Sequence, residues 1–149
     1  MSENSTEKEL SMLFKEIDET LKVVGIHKLV KNIKSFRHCY KNLTEEQLQH
    51  SNEIIDIVFE CFGLSREELF SKNRNLDKHY AAALSAYFLS EKLGLDNVEI
   101  SILLAKYPGK ITQYIADAKR LSENYEYQRN AFEKKKIIEE KIKHYGPRH

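Results

Sequence analysis

Lys110, Thr112 and Gln113 follow directly on Tyr107-Pro108-Gly109. This grouping pairs a cation with short polar side chains just past a chain corner. Recognition of a nucleic-acid duplex needs cations for phosphates and short side chains that reach base edges. Glutamine bonds adenine through a bidentate pair, and the threonine methyl meets the thymine methyl. Lys106, Lys119 and Arg120 are spaced to take phosphates from the same segment. The competing reading is an amphipathic helix with an ordinary polar outer face. Other chemistry has less support. His27, His38, His50, His79, His144 and His149 form no HxxxH or HExxH pair that would set metal ligands on one helix face. There is no GxSxG elbow. The carboxylate pairs Glu67-Glu68 and Glu139-Glu140 lie in charged helical stretches and read as solvated surface. Neither catalytic residues, a metal site nor a cofactor is expected, and the chain is not expected to be an enzyme.

The elements that must position these side chains read as helices. Five glycines and two prolines are few breakers, and no segment alternates apolar and polar residues for long, so the expected class is all-α. Thr6 with Glu9 predicts the start of a first helix, with Leu10, Leu13, Phe14, Ile17, Leu21 and Val24 as its apolar stripe. Gly25 ends or bends it. A second helix is expected from about Ile26 to Tyr40, with Leu29, Val30, Ile33 and Phe36 inward. The two predict a hairpin that docks on the rest of the chain or on another copy. Three further starts carry capping boxes: Thr44 with Gln47, Ser65 with Glu68, and Asp96 with Glu99. The helix from Ser65 is short, and Lys72-Asn73-Arg74-Asn75 reads as a polar loop. A long helix from about Asp77 to Leu93 uses Ala81, Leu84 and Phe88 for packing, with alanines that permit close approach. Asp96 to about Lys106 forms a short helix, Tyr107-Pro108-Gly109 a corner, and the next helix buries Ile111, Tyr114, Ile115, Ala118 and Leu121. A short helix, a tight turn and a longer helix make the helix-turn-helix unit. The charged stretch from Ser122 to Tyr145 reads as one long helical extension, or a second helix after a break near Asn124. It is expected to pack on the N-terminal hairpin or on a partner chain.

Phe62-Gly63-Leu64-Ser65, Glu68-Leu69, Ser71-Lys72-Asn73-Arg74, Ala81, Tyr87, Glu99-Ile100 and Thr112 fall in one stretch of about 60 residues. That stretch resembles the C-terminal, DNA-box-binding domain of the bacterial replication initiator DnaA. The resemblance implies a helix-turn-helix fold of that type over residues 44–121, flanked by helices at 1–43 and 122–149. It implies double-stranded DNA as the partner, a recognition helix in the major groove, and a role in DNA replication or transcription regulation in a bacterium or mobile element. By the family pattern Arg74 enters the minor groove and Lys72 lies on the backbone. The implied DNA-contact set is then Lys72, Arg74, Lys106, Lys110, Thr112, Gln113 and Arg120. Several positions depart from the pattern. Gly109-Lys110-Ile111 stands for Asp-His-[Ser/Thr], Gln113 for Val, Ala82 for Arg, and Leu76-Asp77 for basic residues, which implies a target other than the DnaA box. The GxxxxGK[ST] loop of full-length initiators is absent, so no nucleotide is expected.

At 149 residues and 32% charged the chain fits one domain with helical extensions, but a net charge of +1 does not by itself announce a nucleic acid. Residues 65–120 hold nine Lys/Arg against seven acids. The second helix is different: no acid lies between Glu19 and Glu45, and Lys28, Lys31, Lys34 and Lys41 recur near one face. That face is a second candidate for salt-dependent phosphate binding, or a match for an acidic neighbouring subunit. The N-terminal and C-terminal helices are therefore candidates for dimerisation or for holding a protein partner. The rival to DNA binding is an interaction module that kept the scaffold and lost the contacts. Cys39 and Cys61 are expected as buried thiols. A polar N-terminus and the lack of a long apolar run predict a cytoplasmic protein with no membrane partner.

Overall fold

The computed structural model describes residues 2–71 and 75–146, apart from the side chains of residues 2–4, 35, 38–41 and 70. All regular elements among them are helical, in agreement with the all-α expectation. They are α1 (Ser2–Val24), α2 (Ile26–Asn42), α3 (Glu45–Cys61), a 3₁₀ turn (Arg66–Phe70), α4 (Leu76–Leu93), α5 (Asn97–Leu104), α6 (Pro108–Lys119) and α7 (Glu126–Lys141). No helix among the described residues is long and apolar enough to cross a membrane. The chain divides into two units, Met1–His38 and Cys39–His149.

The first unit is two helices joined by one residue. Gly25 takes φ +82°, a backbone region that a side chain disfavours, and its N–H donates to Leu21 O at 3.0 Å to close α1. Thr6 lies inside α1 and is not its cap, because the helix begins at Ser2. The apolar stripe is present at the predicted spacing, yet Leu10, Leu13, Phe14, Ile26, Val30 and Ile33 are exposed.

The second unit is built around α4. Its alanines at 81, 82, 83 and 86 are all buried, as are Leu84, Phe88 and Leu89, so the helix is enclosed on nearly every side. Small side chains let neighbours approach closely. α3, α5, α6, α7 and the 3₁₀ turn all pack on it. Asn75 caps its start, accepting from Lys78 N at 2.7 Å, and Gly94 ends it in the left-handed region. Two of the three predicted capping boxes form. Thr44 Oγ1 accepts from Gln47 N at 3.1 Å while Gln47 Oε1 accepts from Thr44 N at 2.9 Å. Asp96 Oδ1 accepts from Glu99 N at 2.8 Å, and Glu99 Oε1 from Asp96 N at 2.9 Å. The third does not. Ser65 makes no side-chain cap bond, and a 3₁₀ turn follows it in place of an α-helix. Cys61 is half-buried and free, where a buried thiol was expected.

The charged C-terminal stretch breaks at residues 120–125 and resumes as α7, which packs on α3 and α4. Ala131, Ile138 and Ile142 are its buried anchors. Two lysines add to this contact. Lys134 lies over the Phe62 ring and Lys135 over the Tyr87 ring, each with Nζ 4.5 Å from the centroid. Lys135 also donates to Ala118 O at 3.0 Å, and burial pulls its pKa down. After α7, the Tyr145 hydroxyl donates to Glu53 on α3, with the His50 and His144 rings 4.9 and 4.2 Å from the Tyr145 ring.

This latch is alkaline-sensitive. Burial, and then the hydrogen bond to Glu53, push the Tyr145 phenol from 10.0 up to about 12. An acid whose folded pKa is raised contributes stability below the unfolded pKa and loses it as pH rises towards the folded one. Between pH 10 and 12 the native protein therefore loses stability that Tyr145→Phe has no ionisation to lose. The expected result is a shallower fall in urea midpoint from pH 8 to pH 11 in Tyr145→Phe than in the native chain. Parallel slopes would remove the phenol from the account.

Candidate nucleic-acid interface

The corner between α5 and α6 is Ala105-Lys106-Tyr107, two residues earlier than the spacing predicted. Ala105 ends α5 in the left-handed region at φ 55° and turns the chain without a glycine. Pro108 does not make the turn. It is the first residue of α6, where its missing N–H is lost to no partner and its fixed φ suits the helix. Gly109 likewise lies in the first turn of α6.

The seating of α6 follows from its apolar spacing. Ile111, Tyr114 and Ala118 are buried, with Leu121 just beyond, while Ile115 is half-buried. With that face turned to α4 and α5, Thr112 and Gln113 are exposed on the first turns and Tyr107 is exposed at the corner. Asn97 Nδ2 donates to Thr112 Oγ1 at 2.8 Å, which ties the start of α5 to the start of α6. The threonine oxygen is the acceptor, so its own O–H and its methyl stay available to a ligand.

Three cations surround the corner. Lys106 is half-buried and its Nζ donates to Leu69 O at 3.4 Å. Burial first, and then the charges of Lys78 and Lys110, lower its pKa. Lys78, on the first turn of α4, donates to Ser71 O and to Ser71 Oγ, the latter at 3.0 Å. Lys110 stands 5.1 Å over the Tyr114 ring, a cation–π contact that holds the side chain at the start of α6. α4 and α6 thus bring Lys78 and Lys110 within electrostatic reach of Lys106 at the corner. Lys78 and Lys110 both raise the free energy of the Lys106 charge, and an anion bound beside Lys106 would relieve that repulsion.

Not every predicted residue joins this cluster. Arg120 caps the far end of α6, ten residues or about 15 Å along the helix from Lys110. It pairs there with Asp117, whose carboxylate also meets His79 Nε2 at 3.0 Å. The acid of α6 is therefore already paired with Arg120 and within hydrogen-bonding distance of His79. Lys119 is exposed on the last turn. Lys72 and Arg74 lie outside the described residues, although Ser71, held by Lys78, directly precedes them. Ala82, where the resemblance has arginine, is buried and faces protein.

Sequence reasoning missed Lys78 and Asn97. Neither had a local signal, because Lys78 meets the corner only through the packing of α4 on α5 and α6. Asn97 reaches Thr112 across 15 residues. No protein-family model, no curated protein and no solved structure matches the chain.

Proposed function

We propose that the chain binds double-stranded DNA through α5 and α6 as a helix-turn-helix, regulating replication or transcription and performing no catalysis. The observation that carries this reading is the convergence of Lys78, Lys106 and Lys110 beside the exposed Thr112 and Gln113, in a chain of net charge +1. The lysines take phosphates on the duplex backbone and set the register of the protein. The start of α6 enters the major groove, as the N-terminal residues of a recognition helix do. Gln113 reads an adenine edge and the Thr112 methyl meets a thymine, which favours A·T pairs at adjacent positions. The resemblance to the DnaA C-terminal domain supports the same docking and adds Arg74 as a minor-groove contact. The departures at Gly109, Lys110, Ile111 and Gln113 point to a sequence other than the DnaA box.

Selection of bound duplexes from a random pool tests the base-reading half of this proposal. The native chain should enrich an A·T-containing motif. Thr112→Ala combined with Gln113→Ala should keep binding but relax discrimination at the contacted pairs by about 1–3 kcal/mol each. Binding with no enriched motif would reduce the function to sequence-blind phosphate contact. No binding at all would favour the interaction module.

A further inference from the structure

We propose that α1 and α2 form a self-association unit in which α1 of one copy lies along α2 of a second copy, and the reverse. Fourteen large apolar side chains are exposed among the described residues, and nine of them fall between Leu10 and Phe36. Apolar side chains concentrated in this way on one short segment mark an interaction surface. Their spacing states its kind. Leu10, Phe14, Ile17, Leu21 and Val24 recur at steps of four and three along α1, and Ile26, Leu29, Ile33 and Phe36 at three and four along α2. That is the seam of helices that interdigitate side by side over several turns.

Charge identifies the occupant. α1 carries six acids and three lysines, whereas α2 carries five Lys/Arg and no acid. Pairing α2 with a second α2 sets ten cations together, and pairing α1 with α1 gathers twelve acids. Among the pairings between copies only α1 with α2 brings opposite charges alongside matched apolar seams, and within one chain the two helices are not packed along each other. A groove on α2 makes the same selection. It is lined by Ile26, His27, Val30, Lys31 and Lys34, an apolar floor beside lysines. α1 offers Phe14 and Ile17 interleaved with Glu16, Asp18 and Glu19, all three acids exposed. The arrangement is isologous: a two-fold axis gives both α1–α2 contacts at once and closes the dimer.

Sedimentation velocity of the full chain across the micromolar range tests this. The native protein should sediment with twice the 17.5 kDa chain mass and dissociate more readily as salt rises. Phe14→Asp combined with Ile33→Asp should be monomeric, with the thermal unfolding of the Cys39–His149 unit unchanged. Two charge-reversed chains make the test specific to the pairing. One carries Glu16→Lys, Asp18→Lys and Glu19→Lys, and the other Lys28→Glu, Lys31→Glu and Lys34→Glu. Each alone should be monomeric, because its α1 and α2 then carry like charge. An equimolar mixture should restore the dimer, because each helix again meets its opposite. A native chain that stays monomeric, an Asp variant that still dimerises, or a mixture that stays monomeric would each overturn the proposal.

Discussion

Replacing Lys78, Lys106 and Lys110 together by alanine is expected to make the logarithm of DNA affinity less dependent on the logarithm of salt concentration by about 3. Each lysine that neutralises a phosphate releases about 0.9 of a counterion from B-DNA, so three contribute about 2.7 to that slope. At ~0.1 M salt the same term corresponds to an affinity loss of roughly 10²–10³-fold. The effect should be nearly equal for all sequences, since phosphates carry no base information. Lys78 and Lys106 also hold the carbonyls of Ser71 and Leu69, so the triple variant alone would confound charge with local structure. Lys110 is the control. Its ammonium lies over the Tyr114 ring, and Lys110→Ala should lower the slope by about 1 while leaving thermal unfolding in place. An unchanged slope in the triple variant would remove the corner from any DNA contact.

Phe88→Ala should be the most destabilising single truncation in α4, by about 3–5 kcal/mol. The ring is 1% exposed in the helix on which α3, α5, α6 and α7 all pack, so its removal leaves a cavity that several elements share. Against a total stability of about 5–15 kcal/mol this is a large fraction. Thermal unfolding should fall by about 12–20 °C, given about 4 °C per kcal/mol where the small-domain and larger-domain ranges meet. Leu76→Ala at the start of the same helix, where the side chain is 48% exposed, should change stability by less than about 0.5 kcal/mol. Equal effects at the two positions would mean that α4 is not the centre of the core.

What the sequence revealed was local. The capping boxes at Thr44 and Asp96 close within three residues, so their residue types were enough to place α3 and α5. The buried positions of α6 were legible because a helix of this length repeats its apolar face. Where competing local conformations exist, the reading failed. Ser65 and Glu68 have the pattern of a box, but the chain takes a 3₁₀ turn there. Pro108 has the residue type of a corner, yet it serves equally as the first residue of a helix, and the bend went to Ala105. The packing of α7 was hidden for another reason. Lys134 and Lys135 look like solvated charge until Phe62 and Tyr87, far away in sequence, come under their ammonium groups. The cluster at the corner is of the same kind. Lys106 and Lys110 could be named from the segment itself, but Lys78 and Asn97 arrive only through tertiary packing.

A self-associating N-terminal unit would bear on the DNA reading as well. A dimer carries two copies of α6, and two weak contacts on one duplex reinforce each other when both can engage. The two proposals still stand apart, since self-association needs no DNA and a monomer can bind phosphate.

The most direct test of the DNA-binding account is a fluorescence-anisotropy titration of the unmodified full chain with a random duplex pool at two salt concentrations. With three lysines on phosphates, raising salt from ~50 mM to ~200 mM should weaken binding roughly 40-fold. Saturable binding with at least that sensitivity is the predicted result. No binding at either concentration, or binding indifferent to salt, would contradict it.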